Sequence, residues 1–241
     1  MNTPGWKLLS VVALGSAALT AVVVTVAMRP ADEAASGSAV RDYLLAHPEV
    51  IPEAMEKLKQ KDAAHLVDQN RKAIETPFAG AWAGAKDGDV TLVQFYDYAC
   101  GYCRASLPDI KRLLAEDPKI RIVYRELPIL SAESEDAARV SLAAAEQGRF
   151  SQFHEAMWAA GRPAAETIAS AEAKAGLNPA STATTAKSQA VEQELVKNIG
   201  LMRTLGIAGT PAWIVGDQML SGAVGYDALK KAIAEARAAK S

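Results

Sequence analysis

Cysteine, histidine and net charge are all scarce in this sequence. Its 241 residues include two cysteines and three histidines, and its formal net charge is −2. Two cysteines cannot supply a four-thiolate zinc site, and His47, His65 and His154 have no metal-ligand spacing between them. The near balance of acidic and basic residues gives no electrostatic case for binding nucleic acid. Half of the residues are hydrophobic, so a packed core is expected and wholesale disorder is not.

One long apolar run lies near the N-terminus. Residues 8–28 carry no charge, and at about 1.5 Å per residue these 21 positions span roughly 30 Å, the thickness of a bilayer core. We therefore expect residues 1–30 to be a retained signal-anchor or transmembrane segment. The alternative is a signal peptide that is cleaved at the small residues 25–27. A polar linker, residues 31–37, follows, and in either case the rest of the chain is expected to be exported.

A charged segment with helical periodicity comes next. Residues 38–76 are predicted to form an N-terminal helical arm, on which Ile51, Met55 and Leu58 fall at i, i+4 and i+7 and make one apolar stripe. The stripe has two interpretations. It packs on the protein's own domain, or it makes residues 38–75 an oligomerisation arm.

Strand and helix patterns alternate in the remainder of the chain. Residues 77–130 contain a short first strand, then "VTLVQFYDY", a helix interrupted at Pro108, and "KIRIVYREL". The last three spell a βαβ unit, which requires a parallel strand pair. Residues 131–206 are helical in pattern, with Ser131 as a candidate N-cap, and residues 207–241 contain two short strands and a closing helix. The order predicts an α/β protein with an inserted helical block.

Both cysteines lie in "FYDYACGYCR", where a strand is predicted to give way to a helix. Such a pair can be a structural staple, half of a metal site, a haem attachment point or a redox pair. Haem attachment needs histidine after the second cysteine, where this chain has Arg104, and a bridge over two residues adds little loop entropy. Copper(I) bound by two thiolates stays open as an alternative. Because a helix N-terminus stabilises a thiolate, we predict that Cys100 is the nucleophile and that Cys103 resolves the mixed disulfide.

These features together resemble the DsbA-like thiol oxidoreductases of the thioredoxin superfamily. The resemblance rests on the CxxC, on "GTPAWIVG" about a hundred residues later and on the helical block between them, and it covers roughly residues 38–240. Within this group, "VRDYLLAHPEVIPEAM" followed by "FYDYACGYC" is similar to the ScsC-like subgroup. The resemblance implies a thioredoxin fold, βαβ…ββα, and a cis Thr210–Pro211 bond that faces the disulfide and pairs with a bound polypeptide strand. It implies no cofactor and no metal, because the disulfide is the redox group.

The resemblance also suggests how the cysteine pair is tuned. Gly101 and Tyr102 set the redox poise, and they lack the histidine of the strong oxidant DsbA, so a milder potential is expected. Thr210 before the proline is similar to isomerases and reductases. Gln94 stands six residues before the first cysteine, where much of the superfamily has a buried acid that moves protons for the second thiol. How Cys103 loses its proton is therefore an open question.

The expected function is thiol–disulfide exchange with cysteine-containing exported polypeptides in the periplasm, by a protein anchored in the inner membrane through residues 8–28. Two directions are open. The protein is an oxidase recycled by a quinone-linked membrane partner, or an oligomeric isomerase or reductase kept reduced by a membrane electron donor. A copper(I)-binding module that uses the same two thiols is a third hypothesis. His154 is expected to be a packed helix residue.

Overall fold

The computed structural model of the protein describes residues 37–240. The predicted signal or membrane segment, residues 1–30, lies outside this range. Among the described residues, no helix combines the length and the apolar content that a bilayer crossing requires. The described residues divide into two compact units, 37–58 and 59–240. In the first unit, residues 37–46 form helix α1.

The following elements are arranged as alternating strands and helices, with a block of consecutive helices between the third and fourth strands. The strands are β1 (Trp82–Gly84), β2 (Val90–Tyr96), β3 (Ile120–Glu126), β4 (Ala212–Val215) and β5 (Gln218–Ser221). The helices are α2 (Val50–Glu75), α3 (Gly101–Ala105), α4 (Leu107–Glu116), α5 (Ala132–Glu146), α6 (Phe150–Ala160), α7 (Ala165–Ala175), α8 (Pro179–Thr185), α9 (Gln189–Thr204) and α10 (Tyr226–Ala238).

The five strands form one sheet in the order β1-β3-β2-β4-β5. Strands β2 and β3 are parallel, with Val90 opposite Ile120, and this confirms the parallel pair predicted from the βαβ pattern. The other three pairings are antiparallel. Because β2 is central and buried on both faces, it is apolar at nearly every position rather than alternating. The sheet is that of an α/β, thioredoxin-like fold.

Helices cover the two faces of the sheet separately. Leu92 and Tyr96 of β2 face a core cluster that includes side chains of α4, α6 and α10. Val93 and Phe95 point to the opposite face, as alternation along a strand requires, and pack with side chains of α2 and α9. The cysteines belong to the first of these clusters.

Two local features of the helices follow directly from the sequence. Ser131 is the N-cap of α5, and its hydroxyl accepts the Ser134 N–H at 3.2 Å, which confirms the predicted cap. The predicted interruption at Pro108 is also confirmed. Helix α3 ends before Ser106 and α4 begins at Leu107, so that Pro108 lies in a first turn where its missing N–H costs nothing.

A buried arginine joins three elements on the α2 and α9 face. The Arg125 guanidinium in β3 is fully buried, and it donates to the Ile74 carbonyl at the end of α2 at 3.1 Å and 2.9 Å. It also pairs with Glu194 of α9, and it donates to Asn198 of the same helix at 3.4 Å. Burial lowers the pKa of Arg125, and the Glu194 carboxylate opposes that effect. The end of α2, strand β3 and helix α9 are therefore held by one cation.

We expect Arg125→Met to lower the free energy of unfolding by about 3–5 kcal/mol, because it leaves the Ile74 carbonyl without its donor and the buried Glu194 carboxylate with only the partly exposed Lys197 as its cation. Urea unfolding followed by circular dichroism measures this loss. The matched control is Arg112→Met, which removes an exposed arginine paired with Glu116 and should cost about 1 kcal/mol or less. Equal losses in the two variants would contradict the role of the buried cation.

Candidate active site

The two cysteines lie where β2 passes into α3. Cys100 is the N-cap residue of α3 in an extended conformation, and its Sγ accepts the Cys103 N–H at 3.3 Å. Both side chains are free thiols. Cys100 is 5% exposed and Cys103 is 0% exposed. Both cysteines are therefore buried, but Cys100 keeps a small exposed area and Cys103 keeps none.

The Thr210–Pro211 peptide closes the other side of the pair. This bond is cis, so the cis bond implied by the family resemblance is confirmed. The Cys100 thiol donates to the Thr210 carbonyl oxygen at 3.2 Å across a sequence separation of 110 residues. The structure thus brings four of the predicted site residues together: both cysteines, Thr210 and Pro211.

The Cys103 thiol is strongly held in its protonated form. Burial raises its pKa, and the neighbouring Cys100 acts in the same direction. The backbone of Asp97 and the Thr210 hydroxyl lower the pKa of Cys103 and oppose the burial effect only partly. Among the described residues, the Thr210 hydroxyl oxygen is a buried polar atom without a hydrogen-bond partner.

Gly101 and Tyr102 occupy the outer surface of the turn. Tyr102 is 71% exposed. A side chain at Gly101 would meet no heavy atom within 4 Å. Both residues are open to solvent at the mouth of the site, so they can meet a bound polypeptide as well as the cysteines.

Gln94 lies inside the protein, as its place in the central strand requires. It is 1% exposed and pairs with Tyr124 in β3 and Trp213 in β4. A side-chain amide does not ionise near neutral pH, so Gln94 cannot act as the base that a carboxylate would be. Two buried acids do occur near the site, however, and sequence reasoning assigned neither of them a role.

The first of these acids is Asp97. Three residues after Gln94, Asp97 would face the other side of the strand if β2 continued, but β2 ends at Tyr96, so alternation does not apply to it. Its carboxylate accepts the Ala99 N–H at 2.7 Å and the N–H groups of Ile129 and Leu130 at 2.9 Å and 3.0 Å. Asp97 therefore ties the loop after β3 to the turn that carries Cys100. The bond to the N–H two residues on is an Asx turn, which an aspartate at a strand end could have indicated.

The second acid is Glu126, the last residue of β3. It is 1% exposed, and burial raises its pKa well above the ordinary value, which favours the protonated carboxyl. The Tyr96 hydroxyl is hydrogen-bonded to this carboxyl and lies 3.3 Å from the Tyr98 hydroxyl. Tyr98 in turn lies 3.1 Å from the Ser141 hydroxyl of α5. The turn before Cys100 is thus part of a buried polar network.

His154 of α6 ends this network. Its Nε2 accepts the Trp158 indole N–H at 3.0 Å, and indole nitrogen can only donate. The neutral ring therefore carries its hydrogen on Nδ1, which lies 2.9 Å from the Tyr98 hydroxyl and donates to it. Burial lowers the pKa of His154 to about 3. The prediction that His154 is a packed residue is confirmed.

A five-stranded α/β sheet with a CxxC at a helix start, facing a cis-proline, defines a thiol–disulfide oxidoreductase of the thioredoxin fold. The chain belongs to the family described as the DSBA-like thioredoxin domain, which matches residues 91–234. Residues 32–65 match a second family, the copper resistance protein ScsC N-terminal domain. Both matches confirm the resemblance seen in the sequence.

Solved structures of similar proteins agree with this assignment. The catalytic domain of Proteus mirabilis ScsC is 27% identical, with a TM-score of 0.65 over 73% of this chain and 98% of that one. The thiol-disulfide exchange protein alpha-DsbA2 from Wolbachia pipientis is 28% identical, with a TM-score of 0.68 over 74% and 97%. A periplasmic thioredoxin-like protein from Salmonella enterica serovar Typhimurium is 29% identical, with a TM-score of 0.64 over 70% and 95%.

The curated relatives match a shorter segment. The chain is 35% identical over 78 residues to the Na(+)/H(+) antiporter NhaA 3 of Salinispora tropica, which is 32% of this chain and 12% of that one. This chain thus spans about an eighth of the length of the curated relatives that it matches.

We expect His154 to make the protein less stable in acid. Its folded pKa of about 3 lies below the unfolded value of 6.5, so its contribution is complete above pH 6.5 and is lost as the pH falls towards 3. One proton corresponds to a slope of about 1.4 kcal/mol per pH unit. Urea unfolding between pH 6 and pH 4 should show this slope and lose most of it in His154→Phe.

Titration of Glu126 changes the stability in the opposite direction with pH, so the experiment must remove its contribution. Its raised pKa gives stability that is complete at low pH and is lost as the pH rises through the folded value. The comparison is therefore made in a Glu126→Gln background, where His154→Phe is the single further change. Identical slopes with and without His154 would contradict its assignment as a buried neutral ring.

Proposed function

We propose that the protein is a periplasmic thiol–disulfide oxidoreductase that exchanges disulfides with cysteine-containing exported polypeptides through Cys100 and Cys103. The observation that carries this proposal is the asymmetry of the two sulfurs. Cys100 Sγ lies between the Cys103 N–H and the Thr210 carbonyl in a residue that is 5% exposed, whereas Cys103 is fully buried. A partner sulfur can reach the first sulfur and only the protein can reach the second.

The exchange needs no group beyond the two thiols. In the oxidising direction, a substrate thiolate attacks Cys100 Sγ of the disulfide form, and the Cys100–Cys103 bond breaks. Cys103 leaves as a thiolate and takes up a proton, as its raised pKa favours. A second substrate thiolate then attacks the substrate sulfur of the mixed disulfide and releases Cys100. Two electrons pass from the two substrate thiols to the pair, and the reverse sequence reduces a substrate disulfide.

The surroundings of Cys100 suit an extended polypeptide. The Thr210 backbone beside the cis-proline is the predicted pairing edge for a substrate strand. The loop held by the Asp97 carboxylate presents Ile129 and Leu130, which are 41% and 53% exposed, and Tyr102 is exposed on the turn itself. Apolar side chains that flank a substrate cysteine would find apolar surface there.

Location and partner follow from the apolar run and the relatives. Residues 8–28 are predicted to hold the protein in the inner membrane, with a cleaved signal as the alternative, and one solved relative is itself described as periplasmic. An oxidase or a reductase needs a membrane redox partner because each turnover reverses the oxidation state of the pair, and an isomerase needs one that keeps the pair reduced. That partner is a quinone-linked oxidase or a thiol reductant donor.

The direction of exchange depends on the reduction potential of the pair. A value near that of DsbA, about −120 mV, would assign the oxidase, and a value well below that of protein disulfide isomerase, about −180 mV, would assign the isomerase or reductase. The exposed side chains of the N-terminal unit favour the second class. Six of the ten large apolar side chains that are exposed in the described chain lie within residues 37–58. A second copy of this chain is the occupant that would cover them.

The proposed roles of the two cysteines predict different results for their serine variants. Cys100→Ser should abolish insulin reduction and reactivation of scrambled RNase, because the accessible sulfur is gone. Cys103→Ser should instead accumulate a mixed disulfide on Cys100 with glutathione or a substrate peptide, which mass spectrometry detects.

The same assays and variants distinguish the oxidoreductase proposal from the copper(I)-binding hypothesis. It predicts stoichiometric copper(I) binding by the wild type with no activity in either assay. Activity that disappears with Cys100→Ser removes that hypothesis, and inactive wild type that binds copper(I) tightly would overturn the oxidoreductase proposal.

The oligomer makes a separate prediction. Light scattering of the purified protein should give a mass of more than one chain, and Leu58→Glu should reduce it towards the monomer, because a charge cannot be buried between apolar arms. The matched control is Val196→Glu on α9, since Val196 and Leu58 are each 59% exposed. A monomeric wild type would contradict the oligomerisation arm and leave the oxidoreductase proposal intact.

A further inference from the structure

Helix α6 of the inserted block contacts the residues on both sides of the CxxC. Tyr98 precedes Cys100 by two residues, and Arg104 follows Cys103 directly. Each of these side chains forms hydrogen bonds with α6 or with Gly161, the residue that follows the helix. The four residues of this arrangement, Tyr98, Arg104, His154 and Trp158, are here called the α6 clamp.

Arg104 makes the C-terminal contact of the clamp. Its guanidinium donates to the Trp158 carbonyl and, at 2.6 Å, to the Gly161 carbonyl. These carbonyls lie at the C-terminal end of α6, where no N–H group of the helix is available to donate to them. The helix dipole also favours a cation at this end. The guanidinium carbon also lies 5.2 Å from the centroid of the Trp158 ring. Arg104 therefore caps α6 from the active-site helix.

Tyr98 makes the N-terminal contact. Its hydroxyl lies 2.9 Å from His154 Nδ1, one turn before Trp158 on the same helix. The Trp158 indole N–H donates to His154 Nε2 at 3.0 Å. The hydrogen bond between Trp158 and His154 therefore joins the Tyr98 contact to the Arg104 contact. The segment from Tyr98 to Arg104, which contains both cysteines, is attached to α6 at both of its ends.

We propose that the α6 clamp positions the Cys100–Cys103 turn when the pair is reduced, and thereby makes the disulfide more oxidising than the turn alone would be. This inference rests on the proposed redox function of the pair. The clamp residues are positioning residues, because their contacts act through the backbone of the turn. The inserted helical block then belongs to the redox centre.

The physical reason is a difference between the two oxidation states. In the disulfide form, a covalent bond holds the turn closed whether or not the clamp is present. In the dithiol form seen here, the turn is held by the 3.3 Å bond from the Cys103 N–H to Cys100 Sγ and by the clamp. Loss of the clamp should therefore destabilise the dithiol more than the disulfide, which lowers the tendency of the pair to accept electrons.

The quantity to measure is the equilibrium with glutathione. Protein disulfide and two glutathione molecules give protein dithiol and one glutathione disulfide, so two electrons and two protons are transferred to the protein. We expect Arg104→Gln to lower this equilibrium constant about tenfold, which corresponds to about 30 mV for a two-electron couple. Arg112→Gln is the matched control, because Arg112 also lies over an aromatic ring, at 3.8 Å from Tyr226, and also bonds within its surroundings. It should leave the constant unchanged.

Two further variants separate the clamp from simpler effects. Arg104→Lys keeps the charge but not the planar guanidinium that reaches two carbonyls. If the clamp is correct, this variant should shift the equilibrium constant about as much as Arg104→Gln. If only the charge matters, the constant should not shift. Tyr98→Phe deletes one hydroxyl from the other side of the turn and should shift the constant in the same direction. This variant decides the matter if the Arg104 variants do not fold.

The outcomes are distinguishable from failure of the proposed function. Unfolding of the oxidised and reduced forms must show that the variants lose more stability when reduced. An equilibrium constant unchanged within about twofold, or equal losses in both forms, would overturn the clamp while leaving the redox function standing. A wild type that does not equilibrate with glutathione at all would overturn both.

Discussion

The burial of the Cys103 thiol is the constraint on which the rest of the site depends. Burial raises the pKa of this thiol and keeps partners away from it, while Cys100, three residues earlier, keeps a small exposed area. Only a thiolate attacks, so the difference in environment separates the two roles. Strand β2 brings the pair to the end of the sheet, the cis Thr210–Pro211 peptide covers it from β4, and α6 holds the residues on either side.

Two adjacent residues at the end of β3 organise the opposite faces of the sheet. Arg125 points to the α2 and α9 face and pairs with Glu194, and Glu126 points to the α6 face and meets Tyr96. Each is buried, and each would be costly without its partners. Alternation along a strand is what sends consecutive polar side chains to opposite faces. The helices that flank the sheet are thus joined to one strand by specific polar contacts as well as by apolar packing.

Much of the fold could be predicted because its determinants are local. The β-branched runs of β2 and β3 with a helix between them, the Ser131 cap and the break at Pro108 all involve residues within a few positions of one another. The CxxC and the Thr-Pro pair were recognisable by spacing and by resemblance. The long-range partners of Asp97, Arg125 and Glu126 were not recognisable, because the contacts with Ile129, Glu194 and Tyr96 each span 30 residues or more of the chain.

The sequence by itself determined which groups could do chemistry: two thiols, two residues apart, at a strand-to-helix boundary in an α/β chain. Tertiary structure alone decided which of them is fully buried, which carbonyl the other meets, and that Gln94 is accompanied by a buried Glu126 with a raised pKa in the neighbouring strand. The physical reason is that burial and hydrogen bonding are properties of the assembled neighbourhood. A residue 110 positions away sets the environment of Cys100 as firmly as the residue beside it.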